Sequence, residues 1–232
     1  MNRNAIYQRV FNALLALDEN NNEHAKQELQ LLRSELEKDL QRDTARANGN
    51  GARQKAAMRI LKSNIKQRGE EHSLSYAYAT DDGKQVICDG FRLAVLDSPL
   101  PLPDLPEGRE YINYNQFIPQ ITPSGSLPLP NLATLKAYIK HEKARQKNEK
   151  VKNIKVVYSF GAGLPSVNAE ALADMMEVFP DVQELRYNET RLSPLYFYSD
   201  FGFGMLMPLN IPNAEEEKAQ YERQKAFANK SI

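Results

Sequence analysis

Only one cysteine, Cys88, occurs in the 232 residues, so no internal disulfide can staple the fold. The N-terminus lacks the apolar core of a signal peptide, and no run of about 18 or more apolar residues offers a membrane span. These absences predict a soluble protein of a reducing, cytoplasmic compartment with no membrane partner. Net charge is missing too, because 30 Lys plus Arg balance 30 Asp plus Glu. Any attraction to nucleic acid must then come from local patches. The three histidines, His24, His72 and His141, are scattered, with no spacing that builds a metal site or sets a base beside a nucleophile. Cys88, at a predicted strand end, reads as core. The sequence therefore predicts no enzyme and no cofactor.

What is present divides into three stretches. In residues 1–50, Ile6, Val10, Ala13, Leu14 and Leu17 share one helical face, followed by the polar break Asp18–Asn22. Ala25, Leu29, Leu32, Leu36 and Leu40 stripe a second helix. Two such helices predict an antiparallel hairpin that must dock elsewhere, on the rest of the chain or on a second subunit, making a homo-oligomer one outcome. Thr44–Gly51 reads as a linker. Residues 51–212 read as an α+β domain: a helix over about Ala52–Gln67, then Leu74, Tyr76 and Tyr78 alternating as a strand before a turn at Asp82-Gly83. Gln85–Cys88 and Phe91–Leu96 follow as strands around Asp89-Gly90. Prolines from Pro99 to Pro130 predict an extended connector, with a short strand at Tyr111–Tyr114.

Beyond the connector, Asn131 caps a helix to about Lys147, a strand spans Ile154–Phe160, and a helix runs from Val167 or Asn168 to Phe179. Gly161-Ala162-Gly163 is too short for a dinucleotide loop. After a strand at Val182–Tyr187, Ser193–Ile211 reads as a hairpin whose turn is allowed by Gly202 and Gly204. Asp200-Phe201-Gly202 matches the kinase metal-binding tripeptide, but no glycine-rich loop or His-Arg-Asp loop accompanies it, so it reads as a turn. Residues 213–232 form a charged helical tail, with Glu215–Glu217 in its first turn.

Charge is organised along three helices. Lys55, Arg59, Lys62 and Lys66 recur at i, i+4, i+7 and i+11, as do Lys136, Lys140, Lys143 and Lys147. Such stripes either meet phosphates or stay solvated. The helix ending at Phe179 carries a matching acidic stripe of Glu170, Asp174, Glu177 and Asp181.

Cys88-Asp89-Gly90-Phe91-Arg92-Leu93-Ala94-Val95 resembles the Thr-Asp-Gly-His-Arg-Leu-Ala motif of bacterial DNA-polymerase sliding clamps, with Cys for Thr and Phe for His. Met207-Pro208-Leu209, after the last hairpin, resembles the closing clamp motif, with Asn210 where a basic residue usually stands. The resemblance covers about two-thirds of the chain. It implies a single sliding-clamp-like α+β domain, a sheet backed by helices, that holds short linear motifs of replication or repair proteins. The implied peptide pocket is Gly90, Phe91, Arg92, Leu93, Met207, Pro208 and Leu209, unless these residues only pack the sheet. It also implies a DNA-facing helix pair, here Ala52–Gln67, which is basic, and Val167–Phe179, which is acidic. Two further readings stand beside peptide binding: a DNA-encircling ring of several copies, and a structural oligomer joined through the helical hairpin. The family's threefold domain repeat is not visible.

Overall fold

The computed structural model describes residues 3–19, 21–47, 49–211 and 213–230. Asn20 in the predicted break, Asn48 in the predicted linker, Pro212 before the tail and Ile232 at its end lie outside the described residues. The chain divides into two compact units, Met1–Gln54 and Lys55–Ile232.

In the first unit, helices α1 (Arg3–Asp18) and α2 (Asn22–Ala47) pack against each other, and Arg9 Nη1 donates to Glu28 Oε2 at 3.2 Å. Asn21 starts α2, its Oδ1 accepting from His24 N at 3.2 Å. The apolar stripes are only partly covered. Ala13, Ala25 and Leu32 are buried, whereas Val10, Leu14, Leu17, Leu29, Leu36 and Leu40 are exposed. The linker expected over Thr44–Gly51 is shorter than predicted, since α2 runs to Ala47 and helix α3 (Gly51–Arg68) begins at Gly51. Alanine and arginine suit a helix as far as Ala47, and Gly49, with a φ of +74°, is already in the left-handed region.

The second unit is α+β. Seven antiparallel strands form a sheet in the order β1-β2-β3-β9-β8-β7-β4. They are β1 (Tyr78–Ala79), β2 (Gln85–Cys88), β3 (Arg92–Leu96), β4 (Gly125–Pro128), β7 (Glu184–Tyr187), β8 (Leu195–Ser199) and β9 (Gly202–Leu206). A two-stranded ribbon of β5 (Val157–Ser159) and β6 (Ser166–Asn168) stands apart. Helices α4 (Leu132–Asn148), α5 (Ala169–Val178) and α6 (Ala214–Lys230) complete the unit.

Side chains alternate across the sheet with period two, as the pleat requires. Ile87, Ala94, Leu96, Leu195, Phe197 and Leu206 join one core with Ile60 and Leu61 of α3 and Leu172, Met175 and Phe179 at α5. Val86, Cys88, Leu93, Val95, Tyr196 and Met205 point the other way into a smaller cluster. That outer cluster is roofed by Tyr111, Ile112, Tyr114 and Ile118 of the proline-rich connector. Central strands β2 and β3 are consequently buried along their whole length.

Several local expectations need correction. Leu74 and Tyr76 are not in a strand: Ser73–Ser75 is a 3-10 turn, and only Tyr78–Ala79 pairs with β2. Asn64 Nδ2 holds that turn by donating to the carbonyls of Leu74 and Cys88, both at 2.6 Å. Tyr111–Tyr114 forms no strand either, because its apolar side chains are spent on covering the outer cluster. The connector does contain an unpredicted strand, β4, which pairs with β7 at the sheet edge, where Pro128 is tolerated. Gly204 lies inside β9 and not in the hairpin turn. A Cβ there would stand 2.5 Å from Phe179 Cε2, so glycine is required for α5 to approach the sheet. The turn itself belongs to Asp200 and Phe201, with Asp200 N donating to Asp181 Oδ2 at 2.8 Å.

The tail is docked. Gln224 exchanges two hydrogen bonds with the Ser159 backbone, at 2.9 and 3.0 Å, so its amide acts as one more residue of strand along β5. Gln85 with Leu100 and Gln146 with Lys155 repeat this device.

Candidate functional site

The turn between β2 and β3 is built by Asp89. Its Oδ1 accepts from the backbone N–H groups of Phe91 at 3.0 Å and Arg92 at 2.7 Å. Its Oδ2 accepts from both Arg92 Nε at 2.8 Å and Nη2 at 2.6 Å, two charge-assisted bonds converging on one oxygen. Gly90 supplies the left-handed φ of +88° that the turn needs. Arg92 then reaches the helix side of the sheet, where Nη1 donates to Asp174 Oδ2 on α5 at 2.6 Å. The Asp-Gly-x-Arg spacing thus locks turn to helix. Cys88 Sγ accepts from Gly90 N at 3.3 Å, and burial pushes its thiol up, so it stays protonated and weakly nucleophilic.

Pairing of β3 with β9 brings the second motif to this corner, setting Leu93 opposite Met205. Beyond the strands, Met207 N donates to the Phe91 carbonyl at 2.8 Å, and Leu209 N to the Ser166 carbonyl at 2.7 Å. The seven predicted pocket residues are therefore neighbours, but they do not form one lining. Phe91 is 58% exposed, whereas Leu93 is fully buried and Arg92 faces the opposite side of the sheet. Met207, Pro208 and Leu209 are half-buried. The exposed part of this corner is Phe91, beside the half-buried Met207–Leu209 segment, of which Met207 packs against the outer cluster of Leu93, Tyr196 and Met205.

The eight residues of the two basic stripes separate into two groups. Arg59 Nε donates to Asp174 Oδ1 at 2.6 Å, and Arg59 Nη2 pairs with Glu177. Lys136 pairs with the other oxygen of Glu177, and Lys143 Nζ donates to Glu170 Oε1 at 2.6 Å. The acidic stripe of α5 therefore lies between α3 and α4 and pairs with Arg59 of the first and with Lys136 and Lys143 of the second. Burial works against the ionisation of Glu177, but Lys136 and Arg59 outweigh it and hold its carboxyl below the usual range. Lys55, Lys62, Lys66, Lys140 and Lys147 are exposed, with no ion-pair partner among the described residues.

One feature gave no sequence signal. A groove of about 370 Å³ lies between α4, α6 and the β5–β6 ribbon, with Leu135, Tyr138, Tyr158, Phe160 and Phe227 in its lining. Its walls come from four segments whose apposition depends on α6 docking, and no local pattern encodes that. In the second unit His141 packs on Phe227, and His72 Nδ1 accepts from Leu74 N. No described helix is long and apolar enough to cross a membrane. No family model and no curated protein matches the chain.

Proposed function

We propose that the second unit is a non-enzymatic, sliding-clamp-like module that captures short hydrophobic linear peptides, such as those of replication or repair proteins. The observation that carries this reading is the corner formed by Phe91 and Met207. Two segments that resemble clamp pocket motifs, remote in sequence, meet there through a direct backbone hydrogen bond. An antiparallel sheet with helices on one face is also the architecture the resemblance implies. An exposed aromatic beside half-buried methionine, proline and leucine suits a peptide, since rigid rings anchor and flexible thioethers adapt. The DNA-encircling reading draws less support, because Arg59, Lys136 and Lys143 already have carboxylate partners.

The test is a fluorescence-anisotropy titration of a labelled clamp-binding peptide against wild type, Phe91→Asp and Met207→Ala. Leu93 is unsuitable for substitution by Asp because it is fully buried. Saturable binding with a Kd on the order of 1–100 μM is expected, weakened at least about tenfold by Phe91→Asp. Absence of binding by well-folded wild type would sink the proposal.

A further inference from the structure

Large apolar side chains exposed to solvent are distributed very unevenly. Of seventeen among the described residues, ten lie on α1 and α2, from Tyr7 at 65% exposure to Leu40 at 68%. The other seven are scattered over turns, connectors, a short 3-10 turn and one strand of the second unit, and none is on an α-helix. On α2, Leu29, Leu32 and Leu36 are spaced by three and then four residues, the seam of a helix that packs on another helix, and Leu40 continues it. These four leucines line a shallow groove of about 310 Å³, the shape of a hole awaiting knobs. The seam also outruns its neighbour. With 16 residues α1 spans about 24 Å and α2 with 26 about 39 Å, so the end carrying Leu40 extends roughly 15 Å past α1.

We infer that this face is covered by the α1–α2 pair of a second copy of the chain, forming a four-helix dimer interface. A helical stripe asks for a helical stripe in return. Helices α3 to α6 expose no large apolar side chain among the described residues, so the matching surface is α1–α2 itself. A two-fold axis makes such a patch self-complementary. The area suffices. Leu15 and Leu31 point to the other side at about 100° per residue, and the remaining eight side chains, about half exposed at on the order of 180 Å² each, offer roughly 720 Å² per chain, above the roughly 300–600 Å² patch of a typical monomer. Two copies offer about 1,450 Å², within the 1,200–2,000 Å² of specific interfaces.

The experiment is sedimentation equilibrium of the full chain from about 1 to 100 μM, with Leu36→Glu, Leu40→Glu and Leu36→Met, Leu40→Met double variants. Both glutamate positions are exposed helix sites, and glutamate keeps helix propensity, so far-UV circular dichroism should not change. The expected result is twice the chain's 26.4 kDa for wild type and the methionine variant. For the glutamate variant the dissociation constant should rise by at least about 100-fold, because a dimer would bury four carboxylates. A monomeric wild type at 100 μM overturns the inference, as does an assembly that the glutamates leave intact.

Discussion

Replacing Gly204 by alanine tests whether the approach of α5 to the sheet dictates that residue. The new methyl would stand 2.5 Å from Phe179 Cε2, 2.8 Å from Met175 Cε and 3.0 Å from Phe179 Cδ2, against about 3.5–4.0 Å for ordinary carbon contacts. Met175 can swing its terminal methyl away. Phe179 cannot easily yield, because its ring is fully buried and lies 5.9 Å from the ring of Phe197. Overpacking of this kind costs about 1–3 kcal/mol, and removing a glycine from a strand returns about 0.5–1 kcal/mol. The expected net loss is about 1–2 kcal/mol, or roughly 3–6 °C in Tm for a unit of this size. Urea denaturation would show it as a lower midpoint at unchanged slope. Gly83→Ala is the control: nothing lies within 4 Å of its Cβ position, so only the strain of φ +82° is felt. Combining Gly204→Ala with Phe179→Leu should recover at least about 1 kcal/mol of coupling, since the shorter side chain makes room. A neutral or stabilising Gly204→Ala, or a cycle without coupling, would refute the reasoning.

Glu142 governs part of the acid limb of stability. Its side chain is nearly inaccessible, and hydrogen bonds from Arg145, then burial acting in opposition, leave its pKa below the usual 4.5. A depressed folded-state pKa stabilises fully above the unfolded value and is lost as pH falls through the folded one. Glu142→Gln should therefore flatten the fall in stability between about pH 5 and pH 3, measured by urea titration at each pH; an unchanged slope counts against this assignment. The charged seam makes a separate prediction. Glu177→Gln releases Lys136, while Arg59 keeps its bond to Asp174, so duplex DNA retention should gain a log-affinity against log-salt slope steeper by about one. A steep slope already present in wild type, indifferent to Glu177→Gln, would contradict the neutralised seam.

Most elements were legible because their causes are local. Asn131 and Asn168 cap α4 and α5 as their residue type suggests, each side chain accepting from two backbone N–H groups of the first turn. The turns at Gly83 and Gly90 have the positive φ that Asp-Gly dipeptides favour. Where local signals failed, tertiary packing had overridden them. The aromatics of Tyr111–Tyr114 suit a strand, yet they cover a sheet face; Gly204 reads as a turn residue, yet it makes room for Phe179.

The same division runs through the candidate site. Period and composition alone determined an α+β chain with two basic helical stripes, one acidic stripe and a leucine-striped helix pair, since each depends only on spacing along one element. Only the tertiary structure decided what those stripes meet. The sequence spaces Glu170, Asp174 and Glu177 evenly on α5, but their charge is cancelled because folding sets that helix between α3 and α4. Likewise Arg92 and Leu93 are adjacent in sequence, and pleating sends one to a carboxylate pair and the other into the outer cluster. Partners lying tens of residues away are chosen by chain topology, and no window of neighbouring residues contains that information.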